Sequence, residues 1–464
     1  MGLAATTIPA TIEPLVRRHA EDAAFYWQYI DTSRTSVHLS WQKFKHFDRM
    51  LGAHLEGLQV AGSAGLSTTL AALDRWKKAG EAFAGSWVAM QSGDAAGLAR
   101  VMSLVRARPD TLLRGVVSAL ARLPLSRAQD ILHRWSGEPS DPVTAVAALR
   151  AAALIGAPAL PALSLPLAHW LVHPAPFVRA AACRAAAATR SASPWQHEPM
   201  ASQARDTAAA LVQALGDSDH AVRAEASIAL GGSAAHRSQA LAVLWRCVMV
   251  QAAHAQQATG WFRQQANRRL DRWLRHLACL VPMRHPDIPG LYAFLPARAG
   301  LYFALHHGDP SHLPYVTSRI AHPEEARYAA WVWQTLTGID LAAHGLTLEE
   351  HEPAGADDRQ LLTAARLDAD NGLPMPNLPA VQHAQLTLRL DLGTNQRLLY
   401  GRQATQAWLV ELLQHAPQPL RAVAAHALHY RVPGVGLSVR GGAESQCRQI
   451  EQLPSAGSTE PWHS

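Results

Sequence analysis

A turn that occurs twice in the chain, each time followed by Val-Arg-Ala, constrains the fold more than any other feature. The first copy is Leu171-Val-His-Pro-Ala-Pro-Phe-Val-Arg-Ala-Ala-Ala-Cys183, and the second is Leu215-Gly-Asp-Ser-Asp-His-Ala-Val-Arg-Ala-Glu-Ala-Ser227. Each copy has an apolar helix end, a short turn of Pro, Asp or His, and the start of a second helix. Val178 and Val222 lie 44 residues apart (222 − 178), which is a period typical of a helical hairpin that is repeated and stacked.

Other stretches of the chain follow the same plan at less regular spacing. Asp141-Pro-Val143 opens one more second helix, and Val143 lies 35 residues before Val178 (178 − 143). In each copy the Asp, Ser or Pro residues supply the turn and the helix N-cap, while the following Val packs inward. The irregular spacing predicts HEAT-like units, so the expected fold is an all-α, HEAT-like α-solenoid with an atypical helical N-terminal cap.

Composition agrees with helices packed on helices. Of the 464 residues, 48% are hydrophobic and only 17% are charged, and much of the apolar content is alanine, which favours helix and allows close helix contact. A net charge of +6 over this length is a mild bias, which allows an acidic partner without requiring nucleic acid. Absence of any Cys-x-x-Cys pair predicts buried free thiols and a reducing compartment. Three prolines interrupt the apolar stretch 151–172, so we expect two short helices there rather than a membrane span.

Shifts in composition divide the chain into five predicted segments. These are a helical N-terminal cap (1–79), HEAT-like repeats (80–250), further hairpins with a basic helix (251–346), an acidic, Pro-rich linker (347–385), and a C-terminal hairpin with a disordered tail (386–464). In the cap, Ser40 is expected to begin a helix whose buried stripe is Phe44, Phe47, Leu51, Leu55 and Leu58. In the linker, a short helix is predicted near Arg359 to Leu367.

The helix from Trp261 to Leu277 carries the most distinctive charge pattern. Its basic face is Arg268, Arg272 and Arg275, and its apolar face includes Leu270, Trp273, Leu274 and Leu277. The basic face is a candidate site for an acidic partner. Two structural explanations stay open, a solvated helix face and docking of the acidic linker of the same chain. Nucleic acid would also need aromatic side chains among the charges, whereas Trp261 and Trp273 fall on the apolar side.

The sequence contains no motif with a catalytic mechanism. His306 and His307 with His312 form the densest group of the 24 histidines, but Gly308 and Pro310 break the element that carries them. His426 and His429 share a helix face but have no third ligand at a defined spacing. Nucleophile elbows, phosphate-binding loops and dinucleotide fingerprints are missing from the sequence. We therefore predict no catalytic residue, no cofactor and no metal site, and we expect a protein that is not an enzyme.

Several blocks of the chain resemble a known family. They begin at Glu21-Asp-Ala-Ala-Phe25 with Trp27, then Phe47-Asp48-Arg49, return at Gly308-Asp-Pro-Ser-His-Leu-Pro-Tyr315, and end with Leu373-Pro-Met-Pro376, Arg397-Leu-Leu-Tyr-Gly401 and Arg448-Gln449. The blocks resemble HEAT-repeat proteins of unknown activity whose genes lie in type VI secretion effector clusters of proteobacteria. That resemblance implies a cytoplasmic partner of secreted toxins or of the spike that delivers them.

These observations predict a non-enzymatic accessory protein, an adaptor or chaperone-like scaffold for a type VI effector or spike component. Two alternatives stay open. One is an immunity protein that neutralises a co-encoded toxin, and the other is a helical-repeat enzyme acting on nucleic acid. The expected partner is a protein, with no membrane involved, and the sequence argues against nucleic acid.

Overall fold

The computed structural model describes residues 11–137, 141–189, 198–348, 370–387, 396–432 and 436–453, without the side chains of 189–202. The chain divides into two compact units. The first comprises Met1–Ala214, Pro417–Pro419 and Pro433–Leu453, and the second comprises Leu215–Ala416, Leu420–Val432 and Pro454–Ser464.

The described part of the first unit is built from helices. Its helices up to Ala214 are α1 (Glu13–Thr32), α2 (Trp41–Val60), α3 (Ser63–Trp76), α4 (Ala79–Ser92), α5 (Ala95–Ala107), α6 (Pro109–Arg122), α7 (Leu125–Trp135), α8 (Pro142–Ile155), α9 (Leu167–Leu171), α10 (Pro176–Thr189) and α11 (Glu198–Ala214). Short 3₁₀ segments lie at Ser33–Thr35 and Ala157–Ala162.

The second unit adds one very small sheet to its helices. Its elements are α12 (His220–Leu230), α13 (Arg237–Gln257), α14 (Gly260–Leu280), α15 (Ile288–Phe294), α16 (Ala297–His307), a 3₁₀ turn (Pro310–His312), α17 (Leu313–Ile320), α18 (Ala326–Thr337), α19 (Leu378–Thr387), β1 (Leu398–Leu399), β2 (Arg402–Gln403), α20 (Gln406–His415) and α21 (Gln418–Arg431, from Leu420 onward). The last helix, α22 (Ala443–Glu451), belongs to the first unit.

In both units, helices two apart in the chain pack against each other. The run α4–α6–α8–α10 follows this order in the first unit, and α14–α16–α18 follows it in the second. Helical hairpins that stack on one another give this order of contacts. The predicted all-α class is therefore confirmed, while the finer description as a HEAT-like solenoid stays a prediction.

The repeated Val-Arg-Ala turn has the same structure in both copies. Val178 and Val222 are completely buried at the start of their helices. Nη1 of Arg179 donates to the carbonyls of His173 and Pro174, six and five residues earlier. Arg223 repeats this pair of hydrogen bonds with the carbonyls of Asp217 and Ser218. The arginine thus binds the turn that precedes its own helix, which explains why Val and Arg recur together.

The first two helices form a hairpin that rests on α4. Ser40 begins α2, as predicted, because its hydroxyl accepts a hydrogen bond from the backbone N–H of Lys43. On the inner side, the buried ring of Trp27 stacks on Phe83 of α4 at 5.2 Å between centroids. The predicted buried stripe of α2 is correct for Phe44, Leu51, Leu55 and Leu58, but Phe47 is only half-buried and lies on the outer side.

The contact between α4 and α6 depends on a glycine. A Cβ at Gly115 would overlap the carbonyl oxygen of Ala79 and lie 2.8 Å from the backbone nitrogen of Phe83. Because backbone atoms cannot move aside cheaply, we expect Gly115→Ala to lower the free energy of unfolding by about 1–3 kcal/mol. Gly52→Ala in α2 is the matched control, since its nearest neighbour is a nitrogen of Arg122 at 4.0 Å. That change should raise stability by about 0.5–1 kcal/mol. Urea unfolding of both variants measures the two changes in the free energy of unfolding. Equal changes would contradict the prediction.

A β-hairpin with a two-residue turn contacts the ends of three helices in the second unit. Tyr400 and Gly401 both have positive φ (56° and 67°), as a tight β-hairpin turn requires. The backbone of Leu398 donates to Gly308 at the end of α16, and that of Tyr400 donates to Thr335 in α18. Just before β1, the guanidinium of Arg397 donates to the carbonyls of Ala278, Cys279 and Val281 at the end of α14.

The remaining structural predictions have mixed outcomes. The stretch 151–172 is broken into the end of α8, a 3₁₀ segment and α9, as predicted. No helix among the described residues has the length and apolar character needed to cross a membrane. Residues 349–369, with the helix predicted near Arg359, and the tail from residue 454 lie outside the described residues. The five sequence segments differ from the two units, and their boundaries stay predictions.

Candidate functional site

Four aromatic side chains of the α1–α2 hairpin form a partly exposed surface, here called the aromatic patch. Its members are Phe25, Tyr26, Tyr29 and Phe47. The ring centroids of Tyr29 and Phe47 lie 4.6 Å apart, and those of Phe25 and Tyr26 lie 5.4 Å apart. Phe25 is 58% exposed, while the other three rings are half-buried. Rings held together by their neighbours while one face stays open to solvent suit recognition of another protein.

Helical spacing explains why these rings turn outward. Tyr26 and Tyr29 lie three residues apart on α1, and Phe47 comes from the facing side of α2. Trp27, the next residue after Tyr26, points inward to Phe83. The sequence predicted Phe47 as a buried residue of α2 and did not indicate that the aromatic rings of this hairpin divide between an inner and an outer set.

Polar groups border the aromatic patch. Arg18 donates a 2.6 Å hydrogen bond to Asp22, which, with the attraction of that carboxylate, raises the pKa of Arg18. His54 packs on Tyr26 at 5.5 Å and shares a 3.0 Å hydrogen bond with His19. Burial lowers the pKa of His54, although Asp22 opposes the shift. The border therefore carries both signs of charge, which is typical of the rim of a protein interface.

The structure does not present the three predicted arginines as one exposed face. Arg268 is exposed, whereas Arg272 and Arg275 are only partly exposed. Of the acidic residues in the predicted linker, Asp370 is within the described residues, and it binds Arg298 of α16 with two hydrogen bonds of 2.8 and 2.9 Å. The hydrogen bonds of this carboxylate thus go to α16.

Arg272 is engaged inside the second unit. Its Nε and Nη2 both donate to the carboxylate of Glu225 in α12, at 2.9 and 2.8 Å, and Glu225 has no exposed surface. The indole N–H of Trp273 donates to the same carboxylate at 3.3 Å. Burial alone would lower the pKa of Arg272, but the Glu225 carboxylate raises it above its usual value. Sequence reasoning missed Glu225 because it lies on a different helix, 47 residues away.

The structure separates the adjacent histidines 306 and 307 into two groups. The first is the histidine cluster, made of His276, His306 and His426. The ring of His426 lies 5.3 Å from His276 and 6.2 Å from His306. Nε2 of His276 and Nδ1 of His306 are buried without a hydrogen-bond partner among the described residues.

Burial keeps the imidazoles of the histidine cluster neutral. It lowers the pKa of His306 to about 3, and Arg275 acts in the same direction. The pKa values of His276 and His426 are also well below their usual value because of burial, with Arg272 and Arg275 as the next causes. Nearby, burial raises the pKa of Asp271 to about 6 against the opposing effect of Arg275 and Arg298.

The second group, here called the His-Asp-His cluster, comprises His307, Asp309 and His312. All three are buried, and one ligand atom from each lies within 4.8 Å of the other two. Nδ1 of His307 lies 2.7 Å from Nε2 of His312. Burial lowers the pKa of His312 to about 4 although Asp309 opposes the shift, and burial with Arg397 holds that of His307 well below its usual value. Among the described residues this cluster is the group that could hold a metal ion.

Comparisons with known proteins do not assign a family. No family model matches the chain, and no curated protein sequence matches it. The chain is similar to an engineered protein whose crystal structure comes from the Northeast Structural Genomics Consortium, with 15% identity over 93% of this chain and 99% of that one. The TM-score is 0.25, which carries no argument about fold or function. The resemblance to type VI secretion proteins stays a prediction.

Proposed function

We propose that the protein is a non-enzymatic accessory protein that binds a type VI secretion effector or spike component in the bacterial cytoplasm. The observation that carries the proposal is the aromatic patch. Aromatic side chains dominate the binding energy of protein interfaces, particularly when their neighbours hold them in place. Phe25 combines an exposed ring with contacts to Tyr26 and Tyr29, which already restrict its motion.

The position of the patch also supports the proposal. Two of the blocks that resemble the type VI family, 21–25 and 47–49, contribute Phe25 and Phe47 to it. Inside the unit, the opposite side of α1 packs on α4 through Trp27, so the outer rings are not needed to hold α1 on α4. Phe25, whose ring contacts are with Tyr26 and Tyr29 of the same helix, is therefore available for a partner.

The test compares two exposed phenylalanines. Phe25→Ala should weaken partner binding by about 2 kcal/mol, or roughly 30-fold in Kd, if this ring is an interface hot spot. Phe177→Ala is the matched control, because Phe177 is 50% exposed on α10 of the same unit and lies outside the patch. It should leave the affinity within about twofold, since surface changes away from an interface have small effects.

The partner is first captured from the native host with the wild-type chain as bait and identified by mass spectrometry, and its affinity for each variant is then measured by calorimetry. Recovery of a spike protein with a full-length effector supports the adaptor function. A toxin domain recovered without spike proteins supports immunity instead. Nucleic acid without any secretion component contradicts both, and equal losses for Phe25→Ala and Phe177→Ala would show that the patch is not the interface.

A further inference from the structure

The His-Asp-His cluster has a property that an ordinary buried histidine pair does not require. Its three side chains come from one short stretch, the end of α16 and the following 3₁₀ turn, and none is more than 2% exposed. Two imidazoles and a carboxylate that converge out of solvent are a ligand set that transition metals bind.

Hydrogen bonding fixes which nitrogen of His307 is available. Nε2 of His307 lies 3.1 Å from the carbonyl oxygen of Val281, and a carbonyl can only accept. Nε2 therefore carries the proton, and in the neutral ring Nδ1 carries the lone pair, which faces His312. Metal-binding histidines use the same arrangement, in which the distal N–H donates to a backbone carbonyl and sets the direction of the ring.

The carboxylate of Asp309 is fixed as well. One oxygen accepts the backbone N–H of Ser311 at 2.9 Å, and the other accepts that of Arg284 at 2.7 Å. Each oxygen keeps a further lone pair, because a carboxylate oxygen can accept two hydrogen bonds. Ligating carboxylates are commonly held in this way by neighbouring donors.

A buried hydroxyl next to the cluster is an independent observation. The hydroxyl of Tyr292 is buried and has no hydrogen-bond partner among the described residues. Its ring lies 5.5 Å from that of His312. A buried phenol is normally hydrogen-bonded, so this hydroxyl indicates that a further polar group belongs beside Tyr292, whose ring contacts His312.

We propose that His307, Asp309 and His312 bind one Zn²⁺ ion, through Nδ1 of His307, Nε2 of His312 and a carboxylate oxygen of Asp309. A water molecule hydrogen-bonded to Tyr292 completes the tetrahedron. Without metal, Nε2 of His312 donates its proton to His307, and this proton moves to Nδ1 of His312 when the ion binds. Two Zn–N bonds at a tetrahedral angle separate the nitrogens by about 3.3 Å, so the two rings must move apart by roughly 0.6 Å. Two nitrogen ligands and one oxygen ligand favour zinc over magnesium or calcium, which prefer oxygen alone.

The charge balance makes Asp309 the decisive ligand. The guanidinium of Arg397 donates to the same Val281 carbonyl that His307 contacts, and it opposes the entry of a cation. The Asp309 carboxylate offsets that positive charge. A bound ion connects the end of α16 to the turn that begins α17, so its role is structural and independent of the proposed partner binding.

The experiment uses the full chain without a histidine tag, stripped with EDTA and titrated with Co²⁺ and then Zn²⁺. We expect one equivalent of Co²⁺ with the visible absorption of a tetrahedral site, displaced by Zn²⁺. Asp309→Asn and His312→Gln should weaken binding by more than roughly 100-fold, because even residues that only support a ligand contribute about 10- to 100-fold. His54→Gln is the matched control, since His54 also shares a histidine–histidine hydrogen bond near an aspartate, 3.7 Å away, and should keep the full equivalent.

A second measurement needs no variant. Addition of Zn²⁺ to the stripped wild-type chain should raise its melting temperature in a saturable manner, because a ligand that binds only the folded state stabilises it. Circular dichroism confirms that each variant is folded. The proposal is overturned if the wild-type chain shows no saturable equivalent with a tetrahedral spectrum and no rise in melting temperature. It is also overturned if folded His312→Gln binds the metal as tightly as the wild-type chain.

Discussion

Lowering the pH from 7.5 to 5.0 is expected to remove at least about 3 kcal/mol from the free energy of unfolding of the second unit. The cause is the histidine cluster. His276, His306 and His426 are neutral in the folded unit because burial holds their pKa values far below the usual value, to about 3 for His306. In the unfolded chain each histidine takes up a proton near pH 6.5.

The sign follows from proton binding. Below about pH 6.5 the unfolded state binds more protons than the folded state, so stability is complete above that pH and falls as the pH approaches the folded pKa. At pH 5.0 each fully buried histidine costs about 2 kcal/mol, and His426, which keeps some exposed surface, costs less. Asp271 acts in the opposite direction. Because its folded pKa is raised to about 6, its protonation returns about 1 kcal/mol at pH 5.0.

Urea unfolding between pH 7.5 and 5.0, with EDTA present, measures the loss. His307 and His312 titrate in the same direction once metal is removed, so they can only increase it. Hydrogen exchange followed by mass spectrometry locates the loss of stability. As the pH falls, peptides of α14 and α16 should lose protection before those of α4 and α6. His306→Gln should reduce the proton uptake on unfolding by about one, because the folded ring is neutral throughout this range. A free energy of unfolding that does not change with pH would contradict the prediction.

The histidines show where sequence reasoning succeeds and where it fails. The Val-Arg-Ala turn was predictable because its contacts are local, since Arg179 and Arg223 reach carbonyls five and six residues back. His306 and His307 are adjacent, yet successive residues of a helix point about 100° apart, and they belong to different clusters. His276 and His426 come from helices far away in the chain, so no spacing rule could place them beside His306.

The helical pattern of the sequence described the aromatic patch and the basic face incompletely, for related reasons. A helical pattern predicts which residues share a face, but not how wide the buried part of that face is. The pattern therefore predicted Phe47 as a core residue, although its ring packs on Tyr29 at the half-exposed edge of the hairpin. Arg272 belongs by spacing to the exposed face of α14, but Glu225 on α12 lies beside it, and only the packing of the two helices brings the charges together.

The pair formed by Arg272 and Glu225 gives the largest expected effect of a single substitution. Arg272→Met should lower the free energy of unfolding by about 3–5 kcal/mol, because it leaves the Glu225 carboxylate charged and buried without its partner. The side chains of the pair are 24% and 0% exposed, so solvent can screen the remaining charge only weakly. Arg269→Met, at an exposed residue of the same helix, is the control and should change stability by no more than about 0.5 kcal/mol.

A double variant separates the loss of the charge pair from the loss of side-chain packing. In Arg272→Met with Glu225→Gln no charge is left buried, and the glutamine oxygen can still accept the N–H of Trp273, which donates to Glu225 in the native chain. Much of the single-variant loss should therefore be recovered, since replacing both members of a buried ion pair is often nearly neutral. If Arg272→Met instead behaves like Arg269→Met, the carboxylate of Glu225 does not depend on this arginine. Arg272 would then be available to an acidic partner, together with Arg268, as the spacing on α14 predicted. If the single variant is strongly destabilised and the double variant is not, Arg272 holds α14 on α12, and any acidic partner of this helix must bind through Arg268 and its exposed neighbours.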